Sequence, residues 1–233
     1  MTSHLPGIDA QPPLGRRRGP RLFRRIAEPA PPPRPPGRAI GLLGGSFNPA
    51  HAGHLYVSRE AMKRLGLDEV WWLVSPQNPL KPRTGMASFE ERLAQARTLV
   101  DDPRIRVSDL EQRLRTIYTV DTLARLTLLP EMRFVWLIGA DNLVQLPRWH
   151  HWRRIFALAP IAVFDRTPHS RGAASGRAAS LFEHARLPEC QAGHLKERAA
   201  PAWVFLHLPP HPASSTAIRA GRQNTATNRE RTP

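Results

Sequence analysis

Gly44-Gly45-Ser46-Phe47-Asn48-Pro49-Ala50-His51-Ala52-Gly53-His54 follows a short apolar run at 39–43 and opens an amphipathic segment at 55–67. The order predicts strand, glycine turn, helix. A helix N-terminus leaves backbone N–H groups without intrahelical partners, and the helix dipole favours negative charge there, so this turn suits a phosphate. The glycines let main chain approach a ligand closely. His51 and His54, three residues apart, share one helical face beside that position. The stretch reads as a nucleotide site.

Outward from it, strand-like and helix-like runs alternate. Strands are expected at 39–43, 69–74, 105–108, 133–138, 161–164 and 203–206, and helices at 51–65, 89–100, 120–129 and 152–158. Ser88 with Glu91 forms a capping-box pattern for the second helix. Short apolar strands alternating with amphipathic helices predict an α/β fold, a parallel sheet covered on both faces. Ligands of such sheets bind beyond the carboxyl ends of the strands. Gly44, Ser75, Gly139 and Asp165 each follow an expected strand directly and should line one edge. Residues 167–200 are less regular and read as a surface excursion with a helix around 178–186.

Composition bounds the rest. A chain of 233 residues suits one domain with a sizeable core. Its single cysteine, Cys190, excludes an internal disulfide and a cysteine-rich zinc site, and fits a reducing cytosol. Apolar runs are too short to span a bilayer, and the N-terminus lacks the apolar core of a secretory signal. We therefore expect a cytoplasmic protein without a membrane partner. Of the formal charge of +15, residues 1–38 carry +6 and residues 219–233 carry +3, which leaves +6 for the body. A moderately basic body suits small anions as well as nucleic acid. Solvated arginine-rich faces account for it equally well. Residues 1–37, rich in Pro and Arg, are expected to be a disordered extension, 38–221 the folded domain and 222–233 a flexible tail.

A second stretch, Ser214-Ser215-Thr216-Ala217-Ile218-Arg219, places small hydroxyls before an apolar residue, a pattern of helix N-termini. Taken alone it is compatible with an ordinary cap. Together with the first stretch it resembles the nucleotidylyltransferase superfamily, and most closely the bacterial nicotinate-nucleotide adenylyltransferases. Gly44 to His54 matches that family's G-G-(S/T)-F-D-P-x-H-x-G-H. Ala213 to Arg219 matches its I-S-S-T-x-I-R. Between them, Pro76 to Lys81 resembles its proline-lysine loop, Ile117 to Thr122 its S-Y-T-x-x-T segment, and Ile138 to Leu143 followed by Trp149 its G-x-D…W element. The matches keep family order across about 39 to 219.

The resemblance implies a Rossmann-like doubly wound parallel sheet and adenylyl transfer from ATP to nicotinate mononucleotide. The mononucleotide phosphate is already an anion, so the attack requires no general base. The site must align two anions and stabilise charge on phosphoryl oxygens. By the resemblance, His51 and His54 stabilise the transition state. Gly44, Gly45, Ser46, Phe47, Gly139, Asp141, Ser215, Thr216 and Arg219 bind ATP, with Lys81 and Arg166 as further phosphate contacts. Tyr118, Thr119 and Trp149 hold the pyridine nucleotide. Mg2+ accompanies ATP, bound chiefly through phosphates and water; no protein metal site and no nucleic-acid motif is expected.

Three departures from the family pattern stand out. Asn48 replaces the usual aspartate, and we expect its amide to keep the turn's hydrogen bonding. Ala213 replaces an isoleucine. The residues after Arg219 are polar and aperiodic where the family has an apolar helix. Alternative readings are a relative acting on nicotinamide mononucleotide or phosphopantetheine, a basic nucleic-acid-binding protein, and a tRNA-synthetase relative, which the short chain and missing K-M-S-K-S-like stretch disfavour.

Overall fold

β1 (Arg38–Gly45) turns Ala39 and Leu43 to one side and Ile40 and Leu42 to the other, and all four are buried. A strand apolar on both faces needs helices on both. The computed structural model describes residues 37–77, 85–166, 172–210 and 218, and supplies them. β1 is joined by β2 (Glu69–Val74), β3 (Ile105–Ser108), β4 (Met132–Gly139), β5 (Ile161–Asp165), β6 (Arg186–Leu187) and β7 (Trp203–His207). Their order is β3-β2-β1-β4-β5-β7-β6, and every pairing is parallel. The Rossmann-like doubly wound sheet expected from the sequence is present.

Among the described residues seven α-helices cover it: α1 (Ala52–Leu65), α2 (Phe89–Leu99), α3 (Leu110–Arg113), α4 (Thr119–Leu126), α5 (Ala140–Gln145), α6 (Trp152–Leu158) and α7 (Arg177–Leu181). One core packs Leu55, Ala61 and Leu65 of α1 and Leu93 and Ala96 of α2 against Leu43, Val135 and Val204. The other packs Val120 and Leu123 of α4, Leu143 of α5 and Ile155 and Phe156 of α6 against Leu42, Phe134 and Trp136. Each fully buried aliphatic or aromatic side chain contributes about 1.5–3 kcal/mol. The chain winds from β1 outward to β3, then returns to β4 on the other flank of β1, so the topological switch point lies between β1 and β4. A crevice is expected outside the carboxyl ends of those two strands.

Several expectations need correction. Gly44, Gly139 and Asp165 are the last residues of strands or one short of it, because ladder pairing runs further than the apolar run. The helix expected at 120–129 starts at Thr119 and ends at Leu126, and α3 and α5 were too short to read from periodicity. The helix expected around 178–186 stops at Leu181; Arg186 and Leu187 form β6 on the sheet's edge, and a 3-10 stretch follows at Glu189–Glu197. That region is more than a surface excursion, since Leu187 and Leu195 join the first core. Apart from Gly37, the extension 1–37 and the tail 222–233 lie outside the described residues. Among the described residues no helix is long and apolar enough to cross a membrane.

Candidate active site

The glycine turn leaves β1 at the switch point and delivers His51 as the N-cap of α1. His51 Nδ1 accepts from Gly53 N at 3.1 Å, and His54 Nδ1 accepts from His51 N at 3.2 Å. Two histidines thus form the reciprocal capping box usually made by Ser or Thr with Glu. The consequence is chemical as well as structural. With both Nδ1 atoms accepting, each neutral ring carries its proton on Nε2 and is a hydrogen-bond donor there. The ring centroids lie 3.9 Å apart, and α1 has no acidic residue in its first turn. Phe47, buried, supports the pair: its ring centroid is 4.7 Å from that of His54 and it stacks on Trp72. The phenyl ring is a prop beneath the histidine.

Arg166, just past β5, reaches the same place. A Cβ on Gly53 would stand 2.5 Å from Arg166 Nη1 and 2.9 Å from His51 Cε1, so only glycine lets guanidinium and imidazole share that space. A Gly53→Ala protein is expected to fold, since alanine favours a helix interior, but to lose about tenfold in turnover through displacement of Arg166 or His51. Steady-state kinetics beside a thermal melt checks this.

On the other face of the sheet, beyond the same strand ends, lies a cavity of about 470 Å³. Its wall starts at Gly44, Gly45 and Ser46 and continues through Trp136, whose ring packs so close over Gly44 that a Cβ there would stand 2.5 Å from it. Tyr118 and Thr119 line it as N-cap and first residue of α4, and no side chain caps that helix start. Asp141 and Trp149 complete the group expected from sequence. Gly139 is the N-cap of α5, and an Asp141 carboxylate oxygen folds back over it. Trp149 lines the cavity half-buried, whereas neighbouring Trp152 belongs to the core against Phe156 and Phe182. The indole Nε1 of Trp136 is buried without a hydrogen-bond partner. His51 and His54 are not among the residues that line this cavity.

Four residues here escaped the sequence reading. Arg148 and His150 flank Trp149 on the wall, and His150 lies against Tyr118 with ring centroids 4.3 Å apart. Glu111 on α3 also lines the cavity, only 5% exposed, and burial raises its carboxyl to about 7 against hydrogen bonds from Thr122 and Ser75. The fourth is Arg92 of α2, 1% exposed and bonded to four carbonyls: Ser46 at 2.6 Å, Ser75 at 2.9 Å, Pro76 at 3.1 Å and Ala87 at 3.1 Å. Burial lowers its pKa, partly offset by Glu90. One guanidinium therefore ties the ends of β1 and β2 to the start of α2. Its signal was an arginine beside Leu93 on the apolar face of a helix.

Asn48 uses both ends of its amide, accepting from Ala87 N at 3.3 Å and donating to Gly85 O at 3.4 Å. A carboxylate would lose the second bond. Lys81, Ser215, Thr216 and Arg219 lie outside the described residues, as does Ala213. Among the described residues no group of three or more His, Cys, Asp or Glu is placed to hold a metal ion.

Residues 42–221 match the cytidylyltransferase-like family. A probable nicotinate-nucleotide adenylyltransferase of Parvibaculum lavamentivorans is 55% identical over 185 residues, covering 79% of this chain and 92% of that one. One of Methylorubrum extorquens is 52% identical over 181 residues, covering 77% and 98%. Among solved structures, Plasmodium falciparum nicotinic acid mononucleotide adenylyltransferase complexed with NaAD superposes with a TM-score of 0.60 at 18% identity, over 78% of this chain and 83% of that one. That likeness is one of fold.

Proposed function

The chain belongs to the nicotinate-nucleotide adenylyltransferases within the cytidylyltransferase-like family, and from that premise we propose that it joins the adenylyl group of ATP to nicotinate mononucleotide, yielding nicotinate adenine dinucleotide and pyrophosphate. A phosphate oxygen of the mononucleotide attacks the α-phosphorus of ATP, and the bond to the β-phosphate oxygen breaks. No proton need be removed from the attacking oxygen.

Each residue has work in that reaction. The Nε2–H groups of His51 and His54, with the N-terminus of α1, stabilise charge building on the phosphoryl oxygens and pyrophosphate. Gly44, Gly45, Ser46 and Phe47 shape the turn beneath them, and Arg166 adds a cation beside His51. Asp141 accepts from the ribose hydroxyls of ATP near Gly139. Lys81, Ser215, Thr216 and Arg219 are assigned to ATP phosphates by their motif positions alone. The pyridine ring enters the cavity to stack on Trp149, its carboxylate meeting the uncapped amides at Tyr118 and Thr119. Magnesium neutralises charge on the triphosphate when bound; Asp141, Glu111 and Asp165 do not converge as a protein ligand set, so it is assigned to the phosphates and water.

The observation that carries this reading is the pair of mutually capped histidines at the switch point, beside a cavity ending on an uncapped helix start. A pyrophosphate-release assay with ATP and either the acid or the amide mononucleotide tests it. Turnover with the acid mononucleotide, exceeding that with the amide, is expected. No turnover with the acid overturns the assignment.

A further inference from the structure

Six large apolar side chains stand exposed among the described residues: Ile117, Tyr118, Leu128, Leu129, Val144 and Leu181. An isolated exposed leucine or valine is ordinary on a soluble protein. Ile117 and Tyr118 differ, because they are adjacent in sequence and both line the cavity. Ile117 is 59% exposed, against 2% for Trp136 and 5% for Glu111 in the same lining. It marks the solvent end of the cavity, and those two mark its floor.

The chain on either side imposes that exposure. Thr116, buried, donates from its backbone N to Glu111 O at 3.0 Å, and its hydroxyl lies 2.8 Å from that of Thr122. Tyr118 O accepts from Asp121 N at 3.0 Å and from Thr122 N at 3.2 Å, and Val120 is buried in the second core. The Tyr118 ring rests against His150, with centroids 4.3 Å apart. With its neighbours anchored, Ile117 is held outward at the cavity mouth. An apolar side chain fixed in water is stabilised only when another apolar surface covers it.

The pyridine ring supplies such a surface. Its carboxylate is assigned above to the amides at Tyr118 and Thr119, and consecutive Cα atoms are only about 3.8 Å apart, so the tethered ring comes within reach of Ile117. Isoleucine has no polar atom with which to tell a carboxylate from a carboxamide. The ring also takes no part in bond making, so a contact with it is the same in the ground state and the transition state.

We propose that Ile117 is a substrate-binding residue: it packs on the pyridine ring of the bound mononucleotide and contributes affinity for that substrate, acid or amide, and none for ATP. The proposal deepens the adenylyltransferase reading and rests on it and on the pyridine position given above. Covering most of an isoleucine side chain strengthens binding by about five- to tenfold. Uniform binding of this kind appears in KM and leaves kcat unaltered.

The test is steady-state kinetics of Ile117→Ser, which places at this position the first residue of the S-Y-T-x-x-T pattern. The KM for acid and amide mononucleotides is expected to rise by about five- to tenfold in each case. kcat and the KM for ATP are expected to stay within about twofold of the wild type. Because the side chain replaced is exposed, the variant should melt close to the wild type. Should it fold poorly, Ile117→Val and Ile117→Thr isolate the apolar contact, since the two side chains share a shape and differ by a methyl and a hydroxyl. Threonine is expected to give a mononucleotide KM about two- to fivefold above that of valine. An unchanged mononucleotide KM, a rise shared equally by ATP, or a rise confined to the acid overturns the proposal and leaves the adenylyltransferase reading in place. Absence of wild-type turnover with the acid mononucleotide overturns both.

Discussion

His54→Ala is expected to lower kcat by about 10²- to 10³-fold, the usual loss when one pre-aimed donor is removed from a charge-building transition state. The substitution also removes a helix cap and a ring packed against Phe47 and Trp72. Losing the cap costs about 0.5–2 kcal/mol, so a lower melting temperature must be separated from lost chemistry. His54→Gln makes the separation, because glutamine at this third helical position can still accept from His51 N. A glutamine variant that melts near the wild type and remains impaired in pyrophosphate release locates the loss in the imidazole. Wild-type turnover in both variants would remove His54 from the reaction.

Arg92→Lys is expected to cost about 10- to 100-fold in kcat/KM even where the protein remains folded, although Arg92 touches neither substrate in the proposed site. Four carbonyls from Ser46, Ser75, Pro76 and Ala87 converge on a planar fork, and an ammonium cannot span them all. At least one of these carbonyls is left without a donor, at about 1–3 kcal/mol each. Ser46 belongs to the turn beneath the histidines and Ser75 contacts Glu111, so both halves of the site should loosen together. Arg92→Ala, which removes every bond, is expected to unfold at markedly lower denaturant concentration. A lysine variant with unaltered kinetics would reduce Arg92 to a role in stability alone.

Much of the fold was legible because its strands are short apolar runs and its longer helices carry clear stripes. The capping box at Ser88 and Glu91 marked the start of α2 correctly. What stayed hidden has physical causes. α3 and α5 are four and six residues long, less than two turns, so periodicity carries no signal. β6 has two residues and exists through its ladder with β7, a tertiary fact. At the candidate site, His51 and His54 of the capped pair and Tyr118 and Asp141 of the cavity lie in motifs that the sequence singled out. Arg92 and Glu111 were not singled out, because a charged residue looks like solvated surface until the chain has folded over it. The place of the cavity beyond the strand ends was likewise invisible, since it depends on how the chain winds about β1.

The two margins of the sheet carry a consequence of their own. β3 offers four residues and β6 only two, so among the described residues neither rim presents a long ladder of unsatisfied amides and carbonyls. Such stunted borders resist edge-to-edge accretion between copies, the route by which exposed strands seed aggregates. Any self-assembly built from the described residues must then be joined through helices and loops, leaving the hydrogen-bonded layer of each molecule closed at its own boundary.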